Sequence, residues 1–412
     1  MKNGSKTKKE VTVMVIKGCT IIDCTGREPY VGDVEVLDGR ITRIGRELSA
    51  EKTIDAQGKY LIPGLINLHV HINRRNVSRT TASFRMGAPA IENSSDFHRM
   101  LFATRNAWYE LSTGVTTLRD LCSVGRTATA LKEAIEQGII RGPRLYVCGL
   151  GVATIGGHET HRYKGATESG SIDELIKNTE NEVKNGADFI KAMASGGIGG
   201  MPEHEHPSCP ELSREELSAV VSVAHKHGKG VTVHAMGAEP VMNSLLAGVD
   251  GIEHGAHLTE RALDLMAERG VYYVPTASGI RSVAEKERKN GNLPLADIIY
   301  REVIEPQTES IKRAKERGIL IGAGTDTLGN LIDELKIFED VGFTRYEALM
   351  TATSNAAKIL ENDDIGTVEC GKIADLVLLS ANPLDGLSNL EKIELVLLSG
   401  ESVDEKWMCN LQ

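Results

Sequence analysis

The chain has 412 residues, 41% of them hydrophobic and 25% charged, enough to fill one large domain and a smaller one. A formal net charge of −10 argues against a nucleic-acid or anionic-membrane surface. No apolar stretch reaches the ~20 residues that span a bilayer, and the seven cysteines are odd in number, widely spread and free of C-x-x-C pairs, so a reducing cytoplasm is expected.

Residues 1–10, "MKNGSKTKKE", are basic, with no apolar segment and cleavage site after them, and are expected to be a tail. From residue 11 to 62, β-rich runs such as "GDVEVLDGRITRIG" and "TIDAQGKYLIPG" are separated by Asp-Gly and Gln-Gly turns. The far end repeats the style in "GTVECGKIADLVLLS" and "IELVLLSGESV". One small β-sandwich domain built from 11–62 plus 364–412 is therefore expected, enclosing a different middle.

That middle, 63–363, alternates short apolar strands with helical patterns. The expected strands are Leu65–His71, Thr116–Asp120, Arg144–Gly149, Phe189–Met193, Val231–His234, Gly251–His254, Tyr272–Pro275 and Ile319–Asp326. "SIDELIKNTENEVKNGA" opens on Ser171 with Glu174 three residues on, a capping-box pattern. "LSREELSAVVSVAHKHG" opens on Ser213 and closes on Gly228. Eight such strands, too apolar to face water, predict an α/β fold of the (β/α)8 TIM-barrel kind.

Polar residues recur where these strands stop. Strand one, "PGLINLHVH", ends in His69 and His71, which share a face because side chains two apart on a strand point the same way. On that pair alone a metal site and two structural histidines weigh equally. Strand four carries Lys191, strand five ends in His234, strand six in His254 and strand eight in Asp326. In a barrel all these ends open on one face, where catalytic residues collect. Lys191 is the odd member. In a dry, cation-rich pocket its amine is neutral and able to add carbon dioxide as a carbamate; beside an acid it would be an ordinary ion pair.

The segments "PGLINLHVH", "FIKAMASGG", "VTVHAMG", "GIEHGAHL", "GTDT" and "GTVECGKIADLVLLSANP" resemble the amidohydrolase superfamily over nearly the whole chain. The likeness is to the branch of imidazolonepropionase-like proteins and metal-dependent Xaa-Pro or Xaa-Arg/Lys dipeptidases, with Asn67 where an Asp is common. It implies a binuclear centre of two Zn2+ or similar ions. His69, His71 and Asp326 would hold one ion, His234 and His254 the other, with carbamylated Lys191 and a hydroxide between them. The hydroxide would attack an amide carbonyl, Asp326 would carry its proton to the leaving nitrogen, and His158, in "GGHETHR", would bind the oxyanion.

His161 and Arg162 follow His158, and Arg74, Arg75, Arg79 and Arg85 lie in a long segment after strand one that reads as a basic lid or as a solvated loop face. The expected activity is hydrolysis of dipeptides or N-acyl amino acids. The alternative is a cyclic amide hydrolase or a deaminase, against which Lys191 argues. A non-catalytic binding protein would not need all six ligand-type residues. A small-molecule substrate, no nucleic acid, no membrane and a homo-oligomer complete the expectation.

Overall fold

The computed structural model describes residues 13–74, 94–161, 164–199 and 206–403. The expected tail, Arg75, Arg79, Arg85 and Arg162 lie outside these residues.

Five strands open the chain: β1 (Met14–Ile21), β2 (Tyr30–Leu37), β3 (Arg40–Gly45), β4 (Lys52–Asp55) and β5 (Tyr60–Pro63). The Asp-Gly turn between β2 and β3 has both residues at positive φ, Asp38 at 49° and Gly39 at 77°, the hairpin geometry whose twist matches the flanking strands. A bulge at Gly18 divides β1. Its first half pairs with β4 and its second half with β5.

Gly64 alone separates β5 from β6 (Leu65–Val70). A parallel sheet follows in the order β6, β7 (Val115–Asp120), β8 (Arg144–Val147). A second parallel sheet holds β9 (Gly151–Thr154), β10 (Ala166–Ser169), β11 (Ile190–Met193), β12 (Val231–Ala235), β13 (Gly251–His254) and β14 (Tyr272–Val274), in the order β10-β9-β11-β12-β13-β14. Both faces of the inner strands are covered, as near-continuous Val/Ile/Leu/Thr runs require. Helices α1 (Asp96–Ser112), α2 (Thr127–Glu136), α3 (Ile172–Lys184), α4 (Arg214–Lys226), α5 (Ala238–Ala247), α6 (Glu260–Arg269) and α7 (Ala277–Lys289) alternate with them, and α8 (Leu293–Ile299), α9 (Glu305–Glu316) and α10 (Leu331–Asp340) come next. Ser213 and Glu216 form a complete capping box on α4, and Gly228 leaves it at φ 66°. On α3 only half the box forms: Ser171 accepts from the Glu174 amide, while the Glu174 carboxylate takes Gly170 N–H instead.

Hydrogen bonds carry one sheet into the other at both edges. Asp188 N–H reaches Val147 O at 2.8 Å on one side. On the other, the segment 319–326 accepts from Tyr273 N–H at Leu320 O and from Leu68 N–H at Ala323 O, each at 2.9 Å. This eighth segment differs from expectation in making only an isolated bridge, Tyr273 with Ile321. Its glycines let it pass so close: a Cβ at Gly322 would lie 2.3 Å from Leu68 Cδ1, and one at Gly324 2.6 Å from His69 Cβ. β9 and β10 were not expected, because "GVAT" and "ATES" are too short and too small-sided to stand out as strands.

The chain ends in β15 (Leu376–Leu379), β16 (Ile393–Leu398) and β17 (Glu401–Ser402). They join the opening strands in one eight-stranded sheet, β17-β16-β15-β5-β1-β2-β3, with β4 on β1. The small β-domain is thus assembled from both chain ends, as one continuous hydrogen-bonded sheet around Ile16, Ile21, Val34, Ile41, Leu61 and Leu376.

Burial pushes the carboxyls of Glu110, on α1, and Glu334, on α10, up to about 7 from an ordinary 4.5. Between those values the folded chain keeps protons that the unfolded chain has lost, so stability is full at low pH and declines as pH rises through the window. At about 1.4 kcal/mol per pKa unit, each carboxyl withdraws about 3 kcal/mol. Relative to the wild type, Glu334→Gln is expected to gain stability as pH rises from about 5 to about 8, when denaturation midpoints are compared at the two ends of that range. An unchanged slope would show that burial does not hold this proton.

Candidate metal centre

His69 stands at the end of β6, 1% exposed, with Nδ1 2.7 Å from Glu253 Oε2. Burial works against the Glu253 charge, but Arg119 and His69 hold it below the usual carboxylate range. An ionised carboxylate only accepts, so Nδ1 carries the proton and Nε2 keeps the lone pair. Glu253 is itself fixed by an ion pair to Arg119 and by Thr232 Oγ1 at 2.6 Å. Arg119 also donates to Leu68 O at 2.6 Å and to the Tyr272 hydroxyl at 2.9 Å. Glu253 and Arg119 thus form one buried polar network behind His69.

Glu253 and His254 are adjacent on β13, where neighbours normally face opposite ways. His254 sits at φ 69°, and its ring lies 5.0 Å from that of His69 and 4.5 Å from that of His234. His234 Nε2 is 3.1 Å from Gly196 O, a carbonyl that can only accept, so Nδ1 is its free lone pair. Burial holds the His69 imidazole down at about 4, and those of His234 and His254 well below the ordinary value. All three are neutral donors at neutral pH.

His71 Nε2 is 3.3 Å from Asp326 Oδ1. His69, His71 and Asp326 each offer one ligand atom within 4.8 Å of the others, a group able to hold a metal ion. Burial opposes the Asp326 charge, but His71 and the neighbouring histidines keep it ionised well below the usual range. Lys191, 2% exposed on β11, has no hydrogen-bond partner for Nζ among the described residues, and neither has His71 Nδ1. Burial, with Arg119 adding to it, pushes the Lys191 amine below the lysine range against the pull of Glu253. Neutral imidazoles, a charged carboxylate and orphaned buried nitrogens are the donor chemistry that divalent ions satisfy.

His158 lies in the loop between β9 and β10, stacked on His234 with ring centroids 4.0 Å apart. Its backbone N–H is held by Glu211 Oε2 at 2.7 Å. Arg74 is only 4% exposed: its fork grips Glu159, with Nη1 to Oε1 at 3.0 Å, and it also donates to Cys122 O at 3.3 Å. It thereby ties down the loop that carries His158. His161 is exposed, with Nε2 3.0 Å from Gly156 O of its own turn. Sequence reasoning missed Arg119, Glu253, Thr276 and Glu159. Arg119 and Glu253 had a visible signal, a charged residue inside a strand whose every position is buried.

The Amidohydrolase family profile matches residues 60–403. Among curated proteins the chain is 26% identical over 363 residues to the ochratoxinase of Aspergillus niger, covering 82% of this chain and 73% of that one. Among solved structures, a Xaa-Pro dipeptidase with methionine bound in its active site superposes at TM-score 0.83 and 29% identity, over 95% of this chain and 99% of that one. A prolidase complexed with N-methylphosphonate-L-proline does so at TM-score 0.84 and 26% identity, over the same shares.

Proposed function

The chain belongs to the amidohydrolase family and is a hydrolase acting on C–N bonds, and from that premise we propose a metal-dependent peptidase that cleaves dipeptides or N-acyl amino acids to release a free amino acid. In this reading the two parallel sheets and the eighth segment form one (β/α)8 barrel. The supporting observation is the convergence of neutral His69, His234 and His254 with ionised Asp326 and unpartnered Lys191. The dipeptidase and prolidase likenesses favour a substrate with a carboxylate beyond the scissile amide.

His69, His71 and Asp326 would hold one divalent ion, His234 and His254 a second, and a carbamate on Lys191 would join them; zinc is the ion we expect. Such ions polarise an amide carbonyl and acidify water at neutral pH. Asp326 Oδ1 accepts from Thr327 N–H at 2.5 Å and faces His71, which leaves Oδ2 open to take a proton from the attacking water. The same oxygen then hands it to the departing nitrogen, which cannot leave as an anion. His158, stacked above His234, donates to the oxyanion. The expected carboxylate contacts His161, Arg162 and Arg75 belong to the same proposal.

Purified protein is expected to carry about two zinc-type ions per chain by elemental analysis. It should cleave members of a panel of dipeptides and N-acyl amino acids, in preference to lactams and aminated heterocycles. Ammonia released from a heterocycle, with every carboxylate-bearing amide left intact, would favour the deaminase reading.

A further inference from the structure

Thr276, at the end of β14, combines three features that do not occur together by default. It is fully buried. It is a β-branched residue in the left-handed region, φ 56° and ψ 35°, where such side chains are genuine outliers. Its hydroxyl lies 2.7 Å from His254 Nδ1 and 2.6 Å from Pro275 O.

The second contact decides the first. Pro275 O can only accept, so the Thr276 hydroxyl spends its one proton there and must accept from His254 Nδ1–H. His254 is thereby locked with its lone pair on Nε2. Surrounding contacts hold the conformation in place. Gln307 donates to both His254 O and Pro275 O, at 2.7 Å each. Glu334 receives Ala277 N–H at 3.0 Å and Ser278 N–H at 2.6 Å, pinning the first turn of α7. Strain kept by such over-determined surroundings concentrates where function needs it.

We propose that Thr276 is the positioning residue of His254, its strained backbone serving to aim one hydroxyl at Nδ1 so that Nε2 points into the metal centre. This rests on the metal-centre reading. His69 is held the same way by Glu253, but with a charged acceptor. His254 therefore depends on a neutral hydroxyl, and outer partners of this kind typically govern roughly 10–100-fold in metal affinity.

The test compares the wild type with Thr276→Ser, Thr276→Val and Thr276→Gly. Zinc affinity is read by competition with a chromophoric chelator, and stability by thermal melting of the chelator-stripped protein. Wild type binding no zinc would defeat the metal-centre reading itself and leave Thr276 out of the question. Given a zinc-binding wild type, Thr276→Ser should match it. Thr276→Val keeps the strain and loses the hydroxyl, and should bind the zinc on the His254 side roughly 10–100-fold less tightly. Thr276→Gly adopts this backbone freely. It should melt no lower than wild type when stripped, yet lose zinc affinity as Thr276→Val does. Stability and affinity then move apart, which a merely structural threonine would not produce. Wild-type zinc affinity in the Val or the Gly variant overturns the proposal, as does loss in all three.

Discussion

Replacing Asp326 with Asn is expected to leave zinc bound and to cost turnover on the order of 10²-fold or more, the loss typical of a missing acid–base group. The amide side chain would retain an oxygen ligand on the same backbone, at φ 54°, a left-handed conformation that asparagine tolerates as well as aspartate does. What it lacks is an oxygen able to take a proton. In the native chain His71 and its neighbours keep the Asp326 carboxylate ionised throughout the neutral range. The measurement is kcat beside metal stoichiometry on the same sample. Full zinc content with near-normal kcat would remove Asp326 from proton transfer.

Lys191→Ala is expected to have the next largest effect, a fall in metal occupancy and activity of at least roughly 10–100-fold, the range seen when even an outer partner is lost. The Lys191 amine is buried, pushed below the lysine range and without a partner among the described residues. A neutral amine adds carbon dioxide with loss of one proton and becomes a two-oxygen anion, which matches the surrounding donors in charge. Short carboxylic acids or bicarbonate added to Lys191→Ala should restore part of the activity by supplying those oxygens. A carbon-13 signal showing a bare amine in active, metal-loaded protein would refute the carbamate.

How much of this was legible in the sequence depended on distance along the chain. His69 and His71 announce themselves because strand periodicity alone puts them on one face. His234, His254 and Asp326 were legible because neighbouring segments that run parallel end on a common side. The partners that fix them were not. Glu253 and His254 share an inward direction only because His254 leaves the strand conformation, and no alternation rule anticipates that. Thr276 looked like an ordinary residue after a strand, since its role arises from a φ value rather than from its neighbours in sequence. Arg74 looked like part of a basic lid, and the acid that captures it, Glu159, lies 85 residues away. In the fold, the helices opening on Ser171 and Ser213 were foreseeable from those caps, whereas the eighth segment fell short of a regular strand because its glycines serve close approach instead of pairing.

The eight-stranded sheet has a consequence for how the chain comes off the ribosome. β5 has β1 on one side, but on the other Ile62 pairs with Val377, so its second partner is made only after the whole of residues 63–363. Throughout that interval β5 presents an open edge with Leu61 and Ile62 uncovered, the type of surface that recruits other chains. Yet β5 runs through Gly64 straight into β6, so the strand that waits is tethered to the strand bearing His69. Emergence of β15 closes the edge and anchors the start of β6, so the strand bearing His69 is fixed at its base only once residues 375–379 have been made.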